Sequence, residues 1–268
     1  MNDSKGLGIV QGLTQDVAAC IRFFSRIPVP ALGKADDPCR APDFQRLAKV
    51  IPIAGVVIAL LPALFMLLLS ASNLPSFVIA GVVVSVSVAS MGCLHEDGLS
   101  DVCDGFFGGH TKELRLEIMK DSRIGAFGAA ALILSLGLRW GLLTALLERY
   151  SPLFAILVFL ASELFSRFAF VALWQKLPAA YEGGLSQKFG KPDASGVLQA
   201  GLITVLPLLL FLFSPSGGNL IASLVVGGIT TWCLARLTMK KIGGVTGDVL
   251  GAAQQLSSLG FLIGWLLI

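Results

Sequence analysis

Charged residues are scarce in this sequence. Only 14% of the 268 residues are Asp, Glu, Lys or Arg, whereas 55% are hydrophobic. A soluble domain carries about 25% charged residues, so this chain lacks the charge to cover a surface in water. The same composition excludes intrinsic disorder, which requires many charged and few apolar residues. The net charge is only +3, so we expect no nucleic-acid partner.

Paired cysteines and a signal peptide are also missing. The five cysteines form no CxxC pair, so neither a disulfide framework nor a zinc site is indicated. Charged residues interrupt the N-terminal segment, and we therefore expect no cleaved signal. Long apolar runs are present instead. Segments 50–70, 74–94 and 249–268 contain no charge and reach the roughly 20 residues of a membrane-spanning helix.

The apolar runs predict an all-α, polytopic membrane bundle, since outer-membrane barrels show only short alternating segments. We expect a single membrane-embedded catalytic domain over 1–268. Its first part, 1–49, is expected to be cytoplasmic or interfacial and to contain an amphipathic helix over 7–24. About seven transmembrane helices are predicted, at 50–70, 74–94, 124–147, 152–174, 196–213, 219–239 and 249–268.

The positions of Lys and Arg predict the orientation of the bundle. Seventeen of the twenty fall in four clusters, within 1–49, 112–123, 176–191 and 236–241. Seven spans place all four clusters on one side of the membrane. Because Lys and Arg accumulate in cytoplasmic loops, we expect the N-terminus inside the cell and the C-terminus outside.

An acidic motif lies in the predicted loop 95–123. Asp97, Asp101 and Asp104 have the spacing i, i+4 and i+7, which a helix would gather on one face. Three like charges on one face repel unless a cation joins them, and carboxylates at a membrane boundary are usually functional. Mg²⁺ suits such a site because it takes one or two carboxylates plus substrate phosphates. A solvated acidic loop and a proton or sodium path in a transporter remain alternatives.

Three further places could carry chemistry. Lys120 and Arg123 could hold a diphosphate, or they could be ordinary positive charges flanking a span. Glu163 and Arg167 stand at i and i+4 within a span, where an ion pair is the simplest interpretation. Asp248 opens the last span, either near a helix N-cap or as a substrate contact.

Four segments together resemble the cobalamin synthase family, the adenosylcobinamide-GDP ribazoletransferases. The resemblance runs from about residue 22 to the last helix, and the two central segments are the most specific. The segments are FFSRIPVP at 23–30, HEDGLSDVCDG at 95–105, LEIMKDSRIGAFG at 116–128 and GGVTGDVLGA at 243–252.

The resemblance implies an enzyme of the bacterial inner membrane. With the orientation predicted from Lys and Arg, the active site would be cytoplasmic and the C-terminus periplasmic. The enzyme would join adenosylcobinamide-GDP to α-ribazole or its 5′-phosphate, release GMP and use Mg²⁺. The expected partners are these small molecules and the lipid bilayer, and the chain could also form a homo-oligomer. A corrinoid or ion transporter is the alternative. The residues implied are Asp97, Asp101, Asp104 and Asp121 for metal, Asp104 and Asp121 for catalysis, and Lys120, Arg123, Arg167 and Asp248 for substrate.

Overall fold

The structure, a computed structural model, describes residues 2–33, 36–213 and 216–268 and confirms the all-α prediction. In these ranges the only strand-like pairing is an isolated bridge between Ala179 and Val245. The helices are α1 (Asn2–Phe24), α2 (Phe44–Leu47), α3 (Ile51–Leu69), α4 (Ser76–Met91), α5 (Leu94–Gly108), α6 (Lys112–Ile118), α7 (Ala126–Arg149), α8 (Pro152–Lys176), α9 (Leu185–Phe189), α10 (Ala194–Leu212), α11 (Gly217–Ile242) and α12 (Gly247–Leu266).

Six segments of the described chain are long and apolar enough to cross a membrane: Phe44–Leu69, α7, α8, α10, α11 and α12. Large apolar side chains cover the outside of the bundle. Ile133 on α7 is 72% exposed and Leu210 on α10 is 77% exposed. An apolar surface of this kind is unfavourable in water and is matched by lipid. The polytopic membrane bundle is therefore confirmed.

The predicted second span and the loop after it are wrong in their boundaries. Helix α4 has 16 residues and is about 24 Å long, at 1.5 Å per residue, less than the roughly 30 Å of a bilayer core. The chain then bends by 88° into α5. Gly92 and Cys93 make this bend with left-handed φ angles of 63° and 61°, a region that glycine enters freely and cysteine rarely. The segment predicted as a loop at 95–123 contains α5 and α6, and the seventh span exists only if α4 and α5 count as one.

Helix α1 is confirmed as a helix, and its second half is docked on the protein. Ile21 and Phe24, which end the predicted apolar stripe, are buried, whereas Val10 is exposed. Asp16 lies off that stripe in the sequence but is also buried, where it pairs with Arg46 just before α3. A half-exposed ion pair and an apolar contact thus attach α1 to the start of the first span.

Three of the four cationic clusters lie together at one end of the bundle. Arg115 of α6 donates to the carbonyl of Lys241 at 2.9 Å, and the Lys241 amine donates to the carbonyl of Phe106 at 2.6 Å. The segment after α8 joins the same end through the Ala179–Val245 bridge. The side chains of Lys5 and Leu7, and the whole of Lys34, lie outside the described residues.

A buried polar network joins four helices in the middle of the bundle. Arg139 of α7 donates to Glu163 of α8 at 3.3 Å and to Gln255 of α12 at 3.0 Å. Gln254 donates to the second oxygen of Glu163 at 3.1 Å, and Gln255 donates to Glu96 of α5 at 2.9 Å. Buried polar groups require such partners, so the network holds α5 in position against α7, α8 and α12.

Candidate functional site

The acidic residues of the motif lie on one helix, α5. Asp97 is exposed, Asp101 is half-buried and Asp104 is buried, so the acidic face runs from the surface into the protein. Asp101 interacts electrostatically with Asp97, Asp104 and Asp248. The structure therefore adds Asp248, in the first turn of α12, to the acids of α5, and we call these four residues the acidic group. Asp248 is more than 140 residues away from the other three in the chain.

Close helix packing brings Asp248 to α5. A Cβ on Gly98 would lie only 2.8 Å from the carbonyl oxygen of Asp248, so only glycine allows the two backbones to approach this closely. Thr246 is the N-cap of α12, since its hydroxyl accepts from the Val249 N–H at 3.3 Å. The same hydroxyl donates to Asp248 at 3.2 Å. Asp248 thus lies two residues after the N-cap, beside the acidic face of α5.

Asp104 joins α5 to the start of α7. One carboxylate oxygen accepts from the N–H of Gly125 at 2.7 Å and the other from the N–H of Gly128 at 2.8 Å. These amides have no partner within their own helix, and a negative charge at a helix N-terminus is favourable. Asp104 therefore has a structural contact that the sequence did not suggest. Its roles as metal ligand and catalytic residue stay predictions.

Asp104→Asn is expected to destabilise the protein. The amide keeps the shape of the side chain but presents a donor to one of the two N–H groups, so that a buried donor loses its acceptor. Such a loss costs about 1–3 kcal/mol, and thermal unfolding of the purified protein in detergent would measure it. Glu182→Gln, an exposed acid between α8 and α9, is the matched control and should leave the melting temperature unchanged. An unchanged melting temperature for Asp104→Asn would contradict the capping role.

The predicted phosphate-binding residues lie in the segment between α6 and α7. Arg123 donates to both carboxylate oxygens of Asp121, at 3.0 and 3.1 Å from its Nε, and remains well exposed. This side-chain hydrogen bond lowers the pKa of Asp121 to about 2, which makes Asp121 a weak proton acceptor in this conformation. The Lys120 amine lies 4.5 Å from the ring centre of Tyr181. Both cations are thus near the surface at the cationic end.

A cavity of about 140 Å³ lies between α1, α5, α8 and α12. Asp97 and Asp248 both line it, so the acidic group opens into this space. A larger groove of about 500 Å³ between α3, α8 and α10 is lined only by apolar side chains and therefore offers no chemistry. The remaining lining residues of the smaller cavity are Phe23, Phe24, Phe44, Leu94, His95, Phe170, Trp174, Leu185, Gly247, Leu250 and Gly251.

Arg167 has a different partner from the one its spacing predicts. Its Nη1 lies 2.6 Å from Nε2 of His95, and its Nη2 lies 3.3 Å from the sulfur of Met91. Glu163 pairs with Arg139 instead, so the expected ion pair between Glu163 and Arg167 is wrong. Arg167 is fully buried behind His95, and its substrate contact stays a prediction.

Sequence reasoning missed His95 and the aromatic lining of the cavity. It also missed the buried network, although the polar pairs Gln254–Gln255 and Ser257–Ser258 inside an apolar span were a usable signal. Polar side chains within a membrane helix are costly and face the bundle interior. The aromatic residues gave no such signal, because phenylalanine and tryptophan are ordinary in apolar helices.

The donor set fits a magnesium ion that substrate completes. In the part of the chain that the structure describes, no three His, Cys, Asp or Glu side chains converge closely enough to hold a metal ion alone. Asp97 and Asp248 nevertheless share a cavity, and Asp101 lies within electrostatic range of both. Mg²⁺ is commonly held by one or two carboxylates, with water and substrate phosphates as its other ligands.

The chain is similar over most of its length to a family of known proteins. The family model described as CobS, cobalamin-5-phosphate synthase, matches residues 16–266. A protein of Azorhizobium caulinodans is 43% identical over 253 residues, covering 94% of this chain and 95% of the relative. Proteins of Brucella canis and Brucella melitensis are 41% identical over 257 residues, covering 94% of this chain and 96% of each relative. All three relatives are named adenosylcobinamide-GDP ribazoletransferase.

No solved structure matches the chain. The sequence relationship nevertheless extends over nearly the whole length, from the second half of α1 to the end of α12, and includes every element of the acidic site. The chain therefore belongs to the cobalamin-5-phosphate synthase family.

Proposed function

We propose that this protein is an adenosylcobinamide-GDP ribazoletransferase, which catalyses the final joining step of cobalamin synthesis. The observation that carries the proposal is the near full-length similarity to proteins of that name, with the acidic group of α5 and α12 inside the matched region. A transporter of corrinoids or ions, the alternative from the sequence, has no support among these relatives.

The reaction is a displacement at phosphorus. A ribose hydroxyl oxygen of α-ribazole forms a new bond to the phosphate that stays on cobinamide. The bond between that phosphorus and the oxygen bridging to GMP breaks, and its electron pair leaves with GMP. The hydroxyl proton passes to a carboxylate of the site or to water. Reactions of this type depend mainly on positioning and on compensation of developing charge.

We assign one or two of the carboxylates of Asp97, Asp101 and Asp248 to a magnesium ion, whose other ligands would be water and the diphosphate of the substrate. When bound, the ion would neutralise charge on the diphosphate and favour departure of GMP. Lys120 and Arg123 are candidates for contacts to phosphate, since arginine offers a bidentate fork and lysine a point charge. Asp104 and Asp121 remain predicted metal ligands and catalytic residues, with Asp104 the better placed because it belongs to the acidic face.

Transfer activity tests the proposal directly. Purified protein in detergent, supplied with adenosylcobinamide-GDP, α-ribazole and Mg²⁺, is expected to release one GMP for each cobalamin formed. Chelation with EDTA should stop the reaction, and added Mg²⁺ should restore it. Chromatography resolves GMP and the corrinoid product. Corrinoid flux across sealed vesicles without any GMP would point to a transporter and contradict the proposal.

We further propose that the membrane is the bacterial inner membrane and that the cationic end faces the cytoplasm. The segregation of Lys and Arg supports this orientation. Fusions of a periplasmic reporter enzyme are then expected to be active after Ile268 and inactive at the N-terminus. Active fusions at both ends, or at neither, would show that the chain crosses the membrane an even number of times. The bent pair α4–α5 would then no longer count as a span. Size measurements in detergent would test whether the protein forms a homo-oligomer.

A further inference from the structure

The hydrogen bond between Arg167 and His95 decides which ring nitrogen of His95 carries a proton. A guanidinium group only donates hydrogen bonds. Nε2 of His95, at 2.6 Å from Arg167 Nη1, must therefore accept. A neutral imidazole has one donor and one acceptor nitrogen, so Nδ1 carries the hydrogen. The contact with Arg167 thus makes Nδ1 of His95 the hydrogen-bond donor of the ring.

This donor has no partner among the residues that the structure describes. His95 is 1% exposed and lines the cavity of about 140 Å³. Among the buried side-chain atoms of the described residues, Nδ1 is the only one without a partner that belongs to a lining residue of this cavity. Buried donors are normally satisfied. An unpaired donor beside a cavity therefore indicates a ligand that brings one acceptor.

The walls around this donor suit a flat apolar ring. The ring of Phe24 is stacked on His95 with centroids 6.2 Å apart, and Trp174 packs against Phe44 and Phe170 at 5.2 and 5.8 Å. Aromatic side chains offer faces and edges to another ring. Apart from Asp97 and Asp248, the lining offers guanine only His95 as a polar side-chain partner, so several of its donors and acceptors would stay unpaired at a cost in free energy. A benzimidazole brings a single free ring nitrogen, which is an acceptor.

We infer that this cavity binds the benzimidazole ring of the ribazole substrate, with the Nδ1–H of His95 donating to its free ring nitrogen. The inference rests on the proposed function and assigns one substrate to one space within the site. Asp97 is exposed and Asp248 half-buried, so the two acids mark the open side of the cavity. The ribose would extend toward them, where the hydroxyl meets the phosphate.

The hydrogen bond can be tested by changing one atom of the ligand. Calorimetry would compare α-ribazole with its indole analogue, in which the free ring nitrogen is a C–H group. The wild-type protein is expected to bind the analogue about tenfold more weakly, the effect of one hydrogen bond to a buried donor. In His95→Phe the two ligands should bind equally well. Equal binding by the wild type would overturn the inference.

A second variant tests the cavity without changing His95. Leu185→Trp adds a ring at the wall formed by α9 and is expected to raise the KM for α-ribazole at least tenfold, with the KM for adenosylcobinamide-GDP unchanged. Leu210→Trp, on the lipid-facing side of α10, is the matched control and should change neither KM. A raised KM for the GDP-carrying substrate instead would assign the cavity to guanine and overturn the inference.

Failure of the wild type to release GMP would contradict the proposed function itself. The binding comparison between α-ribazole and its indole analogue does not depend on turnover.

Discussion

Asp101→Asn is expected to lower the rate of GMP release at least about 100-fold, the usual loss when one electrostatic group of an active site is removed. The protein should remain as stable as the wild type or become slightly more stable. No described hydrogen bond involves the Asp101 side chain, and its neighbours Asp97, Asp104 and Asp248 are also acids. Neutralising Asp101 therefore removes repulsion and breaks no described contact. Turnover assays and thermal unfolding of the same preparation would measure both effects.

The combination of the two results identifies the purpose of the acidic group. Glu182→Gln removes an exposed acid in the segment between α8 and α9, at the same end of the bundle, and should change neither rate nor stability. A structural role for Asp101 would instead lower the melting temperature in parallel with activity. Full activity in Asp101→Asn would remove this residue from the proposed magnesium site.

Glu163→Leu is expected to cause the largest loss of stability. The substitution leaves Arg139 without its anionic partner in the interior of the bundle, and it also removes the acceptor of Gln254 and Ser258. Leaving one member of a buried ion pair uncompensated costs about 3–5 kcal/mol. Thermal unfolding monitored by fluorescence-detected size exclusion would reveal the loss as a lower melting temperature.

Two further variants show whether the unpaired charge is the cause. The double variant Arg139→Met with Glu163→Leu removes both charges and should recover more than half of the lost stability, because apolar replacement of a buried pair is often neutral. Glu148→Leu, an exposed acid near the end of α7, should have no effect. A double variant as unstable as Glu163→Leu would place the cost in the lost hydrogen bonds to α12 instead of in the charge.

Much of the fold could be predicted from the sequence because membrane spans are encoded locally. A span requires only enough consecutive apolar residues. The predicted segment 124–147 almost coincides with α7, and the predicted segment 152–174 lies within α8. The boundary after α4 was harder to predict, because 74–94 is uninterrupted by charge. Its break depends on the backbone conformation of Gly92 and Cys93, which packing decides and hydropathy does not record.

Some features of the candidate site could likewise be predicted from the sequence, whereas others depended on the tertiary structure. The sequence by itself determined that three acids share one face of a helix at a membrane boundary, since i, i+4 and i+7 spacing is a property of any helix. Only the tertiary structure decided that Asp248 joins them, that Asp104 caps α7, and that Arg167 pairs with His95 and not with Glu163. Each of these pairings joins residues on different helices. Spacing along the chain carries no information about which helix faces meet, whereas packing of α5 against α7, α8 and α12 sets all three.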